Sequence, residues 1–344
     1  MLSALNDTKR TPLDWWFMYK LPKKAAIKNK KSSDQNDEGF AYLYYDCEGK
    51  ALSLSPHILG TGKGALHDTL QQLFGPGGDN HNGWILYNDE IPGTTKNDES
   101  KGHTKGVLAF NKENNSAFWL LHSTPRFPLP KDPVFPDDEK IYGQTFLCIT
   151  LKDYHTAEQL AGLMLAQQEP QVYGCNIPSS IPETSNLAQL AAGDKVPVPA
   201  EPGDLTFYSR AGAPFRCLAK NRHWGQDFWV DLVGPSLKVD LDIETWRRGT
   251  LPPTEDSDKV DDVADILYID LETLGLEYQW HYTKDHAKWA VSDKPSTETN
   301  GGDWVCVADI NRQTSQEKRG GGSICFKDPT LRGLLKSIYK LKAE

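Results

Sequence analysis

His103 and Lys105 stand two residues apart, and His286 and Lys288 repeat the pattern 183 positions later. Each pair heads an apolar run, Gly106-Val107-Leu108-Ala109-Phe110 after the first and Trp289-Ala290-Val291 after the second. On a strand, side chains two apart share a face, so each pair presents an imidazole beside an ammonium. That combination suits the hydrolysis of a phosphodiester, whose negative charge repels nucleophiles and whose alkoxide leaves poorly. One neutral imidazole can attack phosphorus while a second, protonated, gives its proton to the leaving oxygen. The two ammoniums would hold the non-bridging oxygens and offset charge in the transition state, so the scheme requires no metal.

Spacing alone carries little, because 28 lysines and nine histidines in 344 residues yield about 0.7 chance matches. The flanks carry more. After Lys105 the chain runs through a polar turn, Asn111 to Asn115, into Phe118-Trp119-Leu120-Leu121 and out at His122-Ser123-Thr124-Pro125-Arg126. After Lys288 it passes a loop, Lys294 to Gly302, into Trp304-Val305-Cys306-Val307 and out at Asp309-Ile310-Asn311-Arg312. These are two hairpins of a diverged internal duplication, each carrying a His-Lys pair on its first strand and polar groups at the exit of its second.

The elements that must hold them are short. Trp15 to Tyr19, Ala41 to Tyr45, Gly83 to Tyr87, Thr145 to Thr150 and Leu205 to Tyr208 are aromatic or β-branched runs and predict strands. Leu66, Leu70, Leu73 and Phe74 have helical spacing, as do Ala157, Leu160, Ala161 and Met164, and again Leu331, Leu334, Leu335 and Ile338. Strands and helices mix throughout, which gives an α/β or α+β class with mixed sheets. The stretches 28–39 and 169–203 are polar or rich in Pro, Ser and Gly and predict little regular structure. The second divides the chain into an N-terminal lobe, 1–168, a crossover, 169–203, and a C-terminal lobe, 204–344, each lobe supplying half of one site.

Composition is that of a soluble globular chain. No stretch approaches 18 apolar residues, which argues against a membrane span. The start lacks a basic segment followed by an apolar one, so no secretory signal is expected in this chain. A net charge of −9 disfavours a generally basic nucleic-acid binder but allows a local cationic cleft. Six cysteines without a C-x-x-C pair give no zinc or redox motif; Cys306 and Cys325, the closest consecutive pair, could close a disulfide in an oxidising compartment.

Other motifs are weaker. Gly60-Thr61-Gly62-Lys63-Gly64 lacks the spacing and the hydroxyl of a P-loop. The basic run Lys20, Lys23, Lys24, Lys28, Lys30 and Lys31 predicts a solvated surface. Asp89-Glu90 predicts a surface turn or an orienting carboxylate rather than a cation site. Arg319-Gly320-Gly321-Gly322-Ser323 could nest an anion, though a flexible turn is the plainer expectation.

In longer blocks the chain resembles deoxyribonuclease II. The blocks are Asp14-Trp15-Trp16 to Lys20-Leu21-Pro22, Tyr87-Asn88-Asp89-Glu90-Ile91-Pro92, Gly102 to Phe110, Phe118 to Pro128, Tyr142 to Thr150, Asp285 to Val291 and Asp309 to Cys325, covering nearly the whole chain. That family is related to the phospholipase D superfamily, whose members pair two His-x-Lys motifs across two αβ lobes. The resemblance implies such a fold with two pseudo-symmetric lobes, and an endonuclease that cuts double-stranded DNA at acid pH without metal or cofactor, leaving 3′-phosphate and 5′-hydroxyl ends. It implies His103, His286 and His122 as catalytic histidines, Lys105 and Lys288 as phosphate clamps, and Asn311 as a phosphate contact. Arg126, Arg312 and Trp289 would touch DNA, with His103 favoured as nucleophile. His286-Ala287-Lys288 with Asp293 fits the superfamily's longer His-x-Lys-x4-Asp form, whereas the first copy has Phe110 at that place. Cys306–Cys325 is the disulfide carried over; Cys148 would face Ala4, and 252–255 lack another expected cysteine, leaving Cys47, Cys148, Cys175 and Cys217 unassigned. This thinner framework implies a divergent, exported member, secreted or periplasmic in a bacterium, lysosomal in an animal. A homodimer stays open. The competing readings are a phospholipase D-like phosphodiesterase on another substrate and an inactive DNA-binding homologue.

Overall fold

The computed structural model describes residues 1–23, 26–27, 38–74, 81–94, 98–129, 134–247 and 262–341. Within them the chain is a mixed α/β protein of several sheets and few helices. The larger sheet runs, edge to edge, Val172–Asn176, Gly83–Asn88, Lys105–Asn111, Ser116–His122, Gln144–Leu151, Trp15–Lys20, Tyr42–Asp46 and Ser53–Leu54. The second runs Val263–Asp265, Leu241–Glu244, Trp289–Ser292, Trp304–Ala308, Gly321–Lys327, Pro214–Lys220 and Gly203–Tyr208. Read in these directions the central strands of the two orders correspond, with each His-Lys hairpin third and fourth from its edge; the first sheet has one strand more, and its leading edge pair is antiparallel where that of the second is parallel.

Alternation of side chains divides the core. Trp15, Phe17, Tyr19, Leu108, Phe110, Trp119 and Leu121 of the first sheet share one apolar cluster with Phe215, Trp289, Val291, Val305, Val307 and Ile324 of the second. The helices Tyr154–Leu163, Asn186–Ala192 and Pro329–Lys336 contribute to the same cluster. The opposite faces are covered separately: Trp16, Met18, Val107, Ala109 and Leu120 by helix Ala65–Phe74, and Ala290, Cys306, Ala308 and Cys325 by the helical turns Phe228–Val233 and Gly234–Leu237. Burial on both faces accounts for the apolar character of the central strands, each large side chain contributing about 1.5–3 kcal/mol. Asp153 and Asp328 cap the helices that follow Gln144–Leu151 and Gly321–Lys327, accepting from the Thr156 and Leu331 amides at 2.8 Å.

Three sequence expectations need correction. Residues 169–203 are not a bare crossover: Val172–Asn176 forms an edge strand against Gly83–Asn88, and Leu187 and Leu190 bury one side of helix Asn186–Ala192. Lys20 is not on a solvated surface. Its ammonium is buried and donates to the carbonyls of Glu139 and Lys140 at 3.0 Å and to that of Tyr142. Lys23 pairs with Glu38, and the rest of the basic run lies outside the described residues. Nor are Gly321 and Gly322 a flexible turn or a nest. They open the Gly321–Lys327 strand, and a Cβ at Gly322 would press on the Leu218 carbonyl.

Cys306 and Cys325 are directly opposed on neighbouring strands and form a disulfide with a Cα separation of 4.1 Å. The other four cysteines are free. No helix among the described residues is long and apolar enough to cross a membrane.

Candidate active site

The two His-Lys pairs meet at one end of the paired sheets. Lys105 opens its strand and Lys288 immediately precedes its own, so both histidines lie in the approach to a strand, where the backbone is free to bond elsewhere. The His103 amide donates to the Gly320 carbonyl at 2.8 Å, and the His286 amide to the Gly143 carbonyl at 2.9 Å. Gly320 and Gly143 each stand just before a strand of the opposite sheet, so each imidazole is anchored across the interface between the sheets. Glycine is required at both places: a Cβ on Gly143 would collide with the Asp285 carboxylate, and one on Gly320 with the Gln168 carbonyl.

The His103 imidazole points Nδ1 at the Asp309 backbone carbonyl, 2.6 Å away. Nδ1 therefore carries the proton, and the Nε2 lone pair is left for chemistry. Nε2 lies 3.7 Å from Asp89, beyond hydrogen-bond reach. Burial, reinforced by Lys105, holds the imidazole well below its ordinary range. Burial works to raise the Asp89 carboxyl, but the Lys105 and Arg319 cations override it and keep it below the usual carboxylate range. Asp89 thus binds the Lys105 ammonium directly and Arg319 at 3.2 Å, fixing both beside His103.

His286 has different surroundings. Its Nδ1 faces the Glu139 carboxyl at 3.5 Å, and its ring stacks on Tyr142 with centroids 3.8 Å apart and planes within 11°. Trp246 closes another side at 4.4 Å. Burial, opposed by Arg126, lifts Glu139 to about 7. The Lys288 ammonium donates to the His286 carbonyl at 2.8 Å, and burial together with Lys105 brings it down to about 7. Asp309, buried beside the Lys105 amide, is pushed up to about 8. Among the described residues no cluster of three or more His, Cys, Asp or Glu side chains is arranged to hold a metal ion.

Two imidazoles with differing partners and two ammoniums within electrostatic reach of His103 have the chemistry to bind a phosphodiester and to deliver one nucleophile and one acid. Residues 6–342 match the Deoxyribonuclease II family. The chain belongs to that family. Plancitoxin-1 of Acanthaster planci is 34% identical over 342 residues, covering 98% of this chain and 90% of that protein. Deoxyribonuclease-2-beta of Mus musculus is 30% identical over 340 residues, covering 95% and 88%. A Burkholderia pseudomallei protein provisionally named deoxyribonuclease-2 is 46% identical over 335 residues, covering 96% and 91%. This is a deoxyribonuclease II-type enzyme, with DNA as its substrate class.

Against that family background the remaining expected residues fall into two groups. Asn311 stands two residues beyond Asp309, with its amide oxygen buried and accepting no hydrogen bond. His122 is buried between Phe127 and Phe146, accepts from the Thr124 amide on Nδ1, and is brought down to about 3 by burial and Lys105. It lies close to Lys105 electrostatically but its ring is closed to solvent. Three residues expected on DNA are engaged elsewhere. Trp289, one place past Lys288, alternates into the shared core and packs against Tyr19 and Tyr339. Arg312 is buried and bound by Asp227 at 3.0 Å and Asp265 at 2.9 Å. Arg126 holds Glu90, Asp138 and Glu139, which makes it a brace for the carboxyl facing His286.

Sequence reasoning missed Glu139, Tyr142, Trp246 and Arg319, and a matched pair of buried lysines. Lys20 ends the Trp15–Lys20 strand and pins the segment carrying Glu139 and Tyr142. Lys220 ends Pro214–Lys220 and donates to the carbonyls of Gln316, Glu317 and Arg319 at 2.9, 2.9 and 2.6 Å, pinning the segment that carries Arg319 and Gly320. The signal was present: both lysines terminate apolar strands at corresponding places in the duplication.

Proposed function

We propose that this enzyme hydrolyses double-stranded DNA at acid pH, without a metal and with little sequence preference, through a phosphohistidine, leaving 3′-phosphate and 5′-hydroxyl ends. The observation that carries the assignment of roles is the contrast between the imidazoles. His103 has its Nδ1 proton committed to a carbonyl and is held neutral, the state of a nucleophile. His286 faces a carboxyl, the setting of an acid. Nε2 of His103 attacks phosphorus, the bond to the 5′-oxygen breaks, and His286 gives that oxygen its proton. His286 then takes a proton from water, whose oxygen attacks phosphorus and releases His103 and the 3′-phosphate. Lys105, Lys288 and Asn311 hold the non-bridging oxygens. His122 acts behind Lys105 as a positioning group.

The matched central strands support a phospholipase D-like fold of two pseudo-symmetric lobes, divided near 169–203. The disulfide supports an exported protein, since such bonds persist in oxidising compartments. Acid preference has a source besides the histidines. Lys288 is charged below about 7 and loses its charge as pH rises through that value, taking transition-state stabilisation with it. The test is cleavage of plasmid DNA at pH 5 with chelator present. We expect fragments ending in 3′-phosphate, a loss of about 10²–10⁴-fold in His103→Ala and His286→Ala, and a His103 adduct joined through phosphorus to the 3′ end of the cut strand, trapped by quenching in alkaline denaturant and located by mass spectrometry. An absolute need for magnesium, or phosphate found on His286, would overturn the mechanism or the roles. Hydrolysis of phosphatidylcholine without DNA cleavage would favour a different substrate class.

A further inference from the structure

Beside the His103 segment opens a cavity of about 410 Å³. Leu165, Leu190, Val196 and Val198 give it an aliphatic wall, and Lys101 and Lys195 stand at its rim. Val198 is 40% exposed there, an uncovered apolar side chain. No ion pair with a described residue engages either lysine. Arg222, Glu169 and Asp194 also line it, the Arg222 guanidinium fixed by Glu169 at 3.3 Å and by the Ser100 carbonyl at 3.0 Å.

The cavity adjoins the phosphate site. Lys101 is two residues before His103, a span of about 7 Å at most, and strand phosphates follow one another by about 3.4 Å along a helix axis. Arg319 joins the two places: it donates to the Lys101 and Gly102 carbonyls at 3.1 and 3.3 Å and also holds Asp89. Arg222 follows Lys220, whose ammonium ties down the Arg319 segment.

Aliphatic walls suit the faces of a nucleobase and a deoxyribose, and ammoniums at the rim suit the phosphate that follows. A recessed cavity cannot admit a base that is still stacked and paired. We infer that this cavity takes an unpaired nucleotide of the strand, next to the scissile phosphate; the inference rests on the DNA-cleaving function proposed above. The enzyme then opens its duplex locally, and single-stranded or frayed DNA is the better-bound substrate.

The test is steady-state kinetics of wild type, Val198→Trp and Lys101→Gln/Lys195→Gln. Each is assayed on a short single-stranded oligonucleotide, on a duplex closed by G·C pairs, and on bis(4-nitrophenyl) phosphate, which has no flanking nucleotide. In wild type the single strand should show the lower KM, by about tenfold, the weight of one stacked base. Both variants should raise the single-strand KM by about tenfold and erase that advantage, with kcat and small-diester turnover kept within about twofold. Equal wild-type KM values, or a single-strand KM left within about twofold by the Gln pair, would overturn the cavity's role. Should Val198→Trp lose the small diester as well, its fold is damaged and the Gln pair decides. Wild type that cuts neither DNA form would instead defeat the underlying function.

Discussion

Lys288 and His122 show how burial sets the behaviour of single residues. Replacing Lys288 by Arg keeps a charge that does not titrate in this range, at the cost of a different donor geometry. We expect Lys288→Arg to be slower at pH 5 by about tenfold or more yet to fall in rate less steeply above pH 7, keeping only the part owed to the histidines, which a pH–kcat profile reads directly. His122 makes the converse case for stability. Its folded value is about 3 against an ordinary 6.5, so as pH drops through 6.5 only the unfolded chain takes up the proton. Stability is lost from about pH 6.5 down to 3, by about 2 kcal/mol at pH 5. In His122→Gln the stability difference between pH 8 and pH 5, measured by urea unfolding, should shrink by that amount. The acid activity proposed above would set this residue against the stability of its own fold.

At the scale of elements, two buried ammoniums hold the segments that frame the site. Removing one leaves three carbonyls without their donor, so Lys220→Met should cost about 2–4 kcal/mol and lower kcat more than it raises KM, because Arg319 and Gly320 lose their anchor. Lys20→Met should act likewise through Glu139 and Tyr142. The disulfide closes a loop across 19 positions, for which chain entropy gives about 3 kcal/mol, and Cys306→Ala/Cys325→Ala measures it. Much of this level was legible in the sequence. The strands at Trp15, Gly83, Thr145 and Leu205 and the helices at Leu66, Ala157 and Leu331 follow from period and composition, because one-sided or two-sided burial imprints itself on residue type. The site was legible only in its repeated part. Glu139, Tyr142 and Trp246 belong to non-repeated approach segments and reach His286 through contacts distant in the chain. Arg312 and Trp289 look like DNA contacts in sequence, but burial and pairing decide their use, and neither leaves a local pattern.

The whole molecule is acidic, with a net charge of −9, while Lys105, Lys288 and Arg319 gather positive charge around His103. Few phosphates can then be neutralised at once, so the salt dependence of DNA binding should be shallow: log K against log salt with a slope of magnitude about 2–4 rather than 6–10, read by fluorescence anisotropy with the His103→Ala variant. The anchoring of His103 has a further consequence in time. Its backbone is held by Gly320, its ring by Asp309, and its companion carboxylate by Arg319, the nearest of them 206 positions later in the chain. During synthesis the first His-Lys pair emerges long before any of these. The His103 side of the site is therefore assembled only when the Gly321–Lys327 strand docks, and folding of this half of the site must follow synthesis of the other.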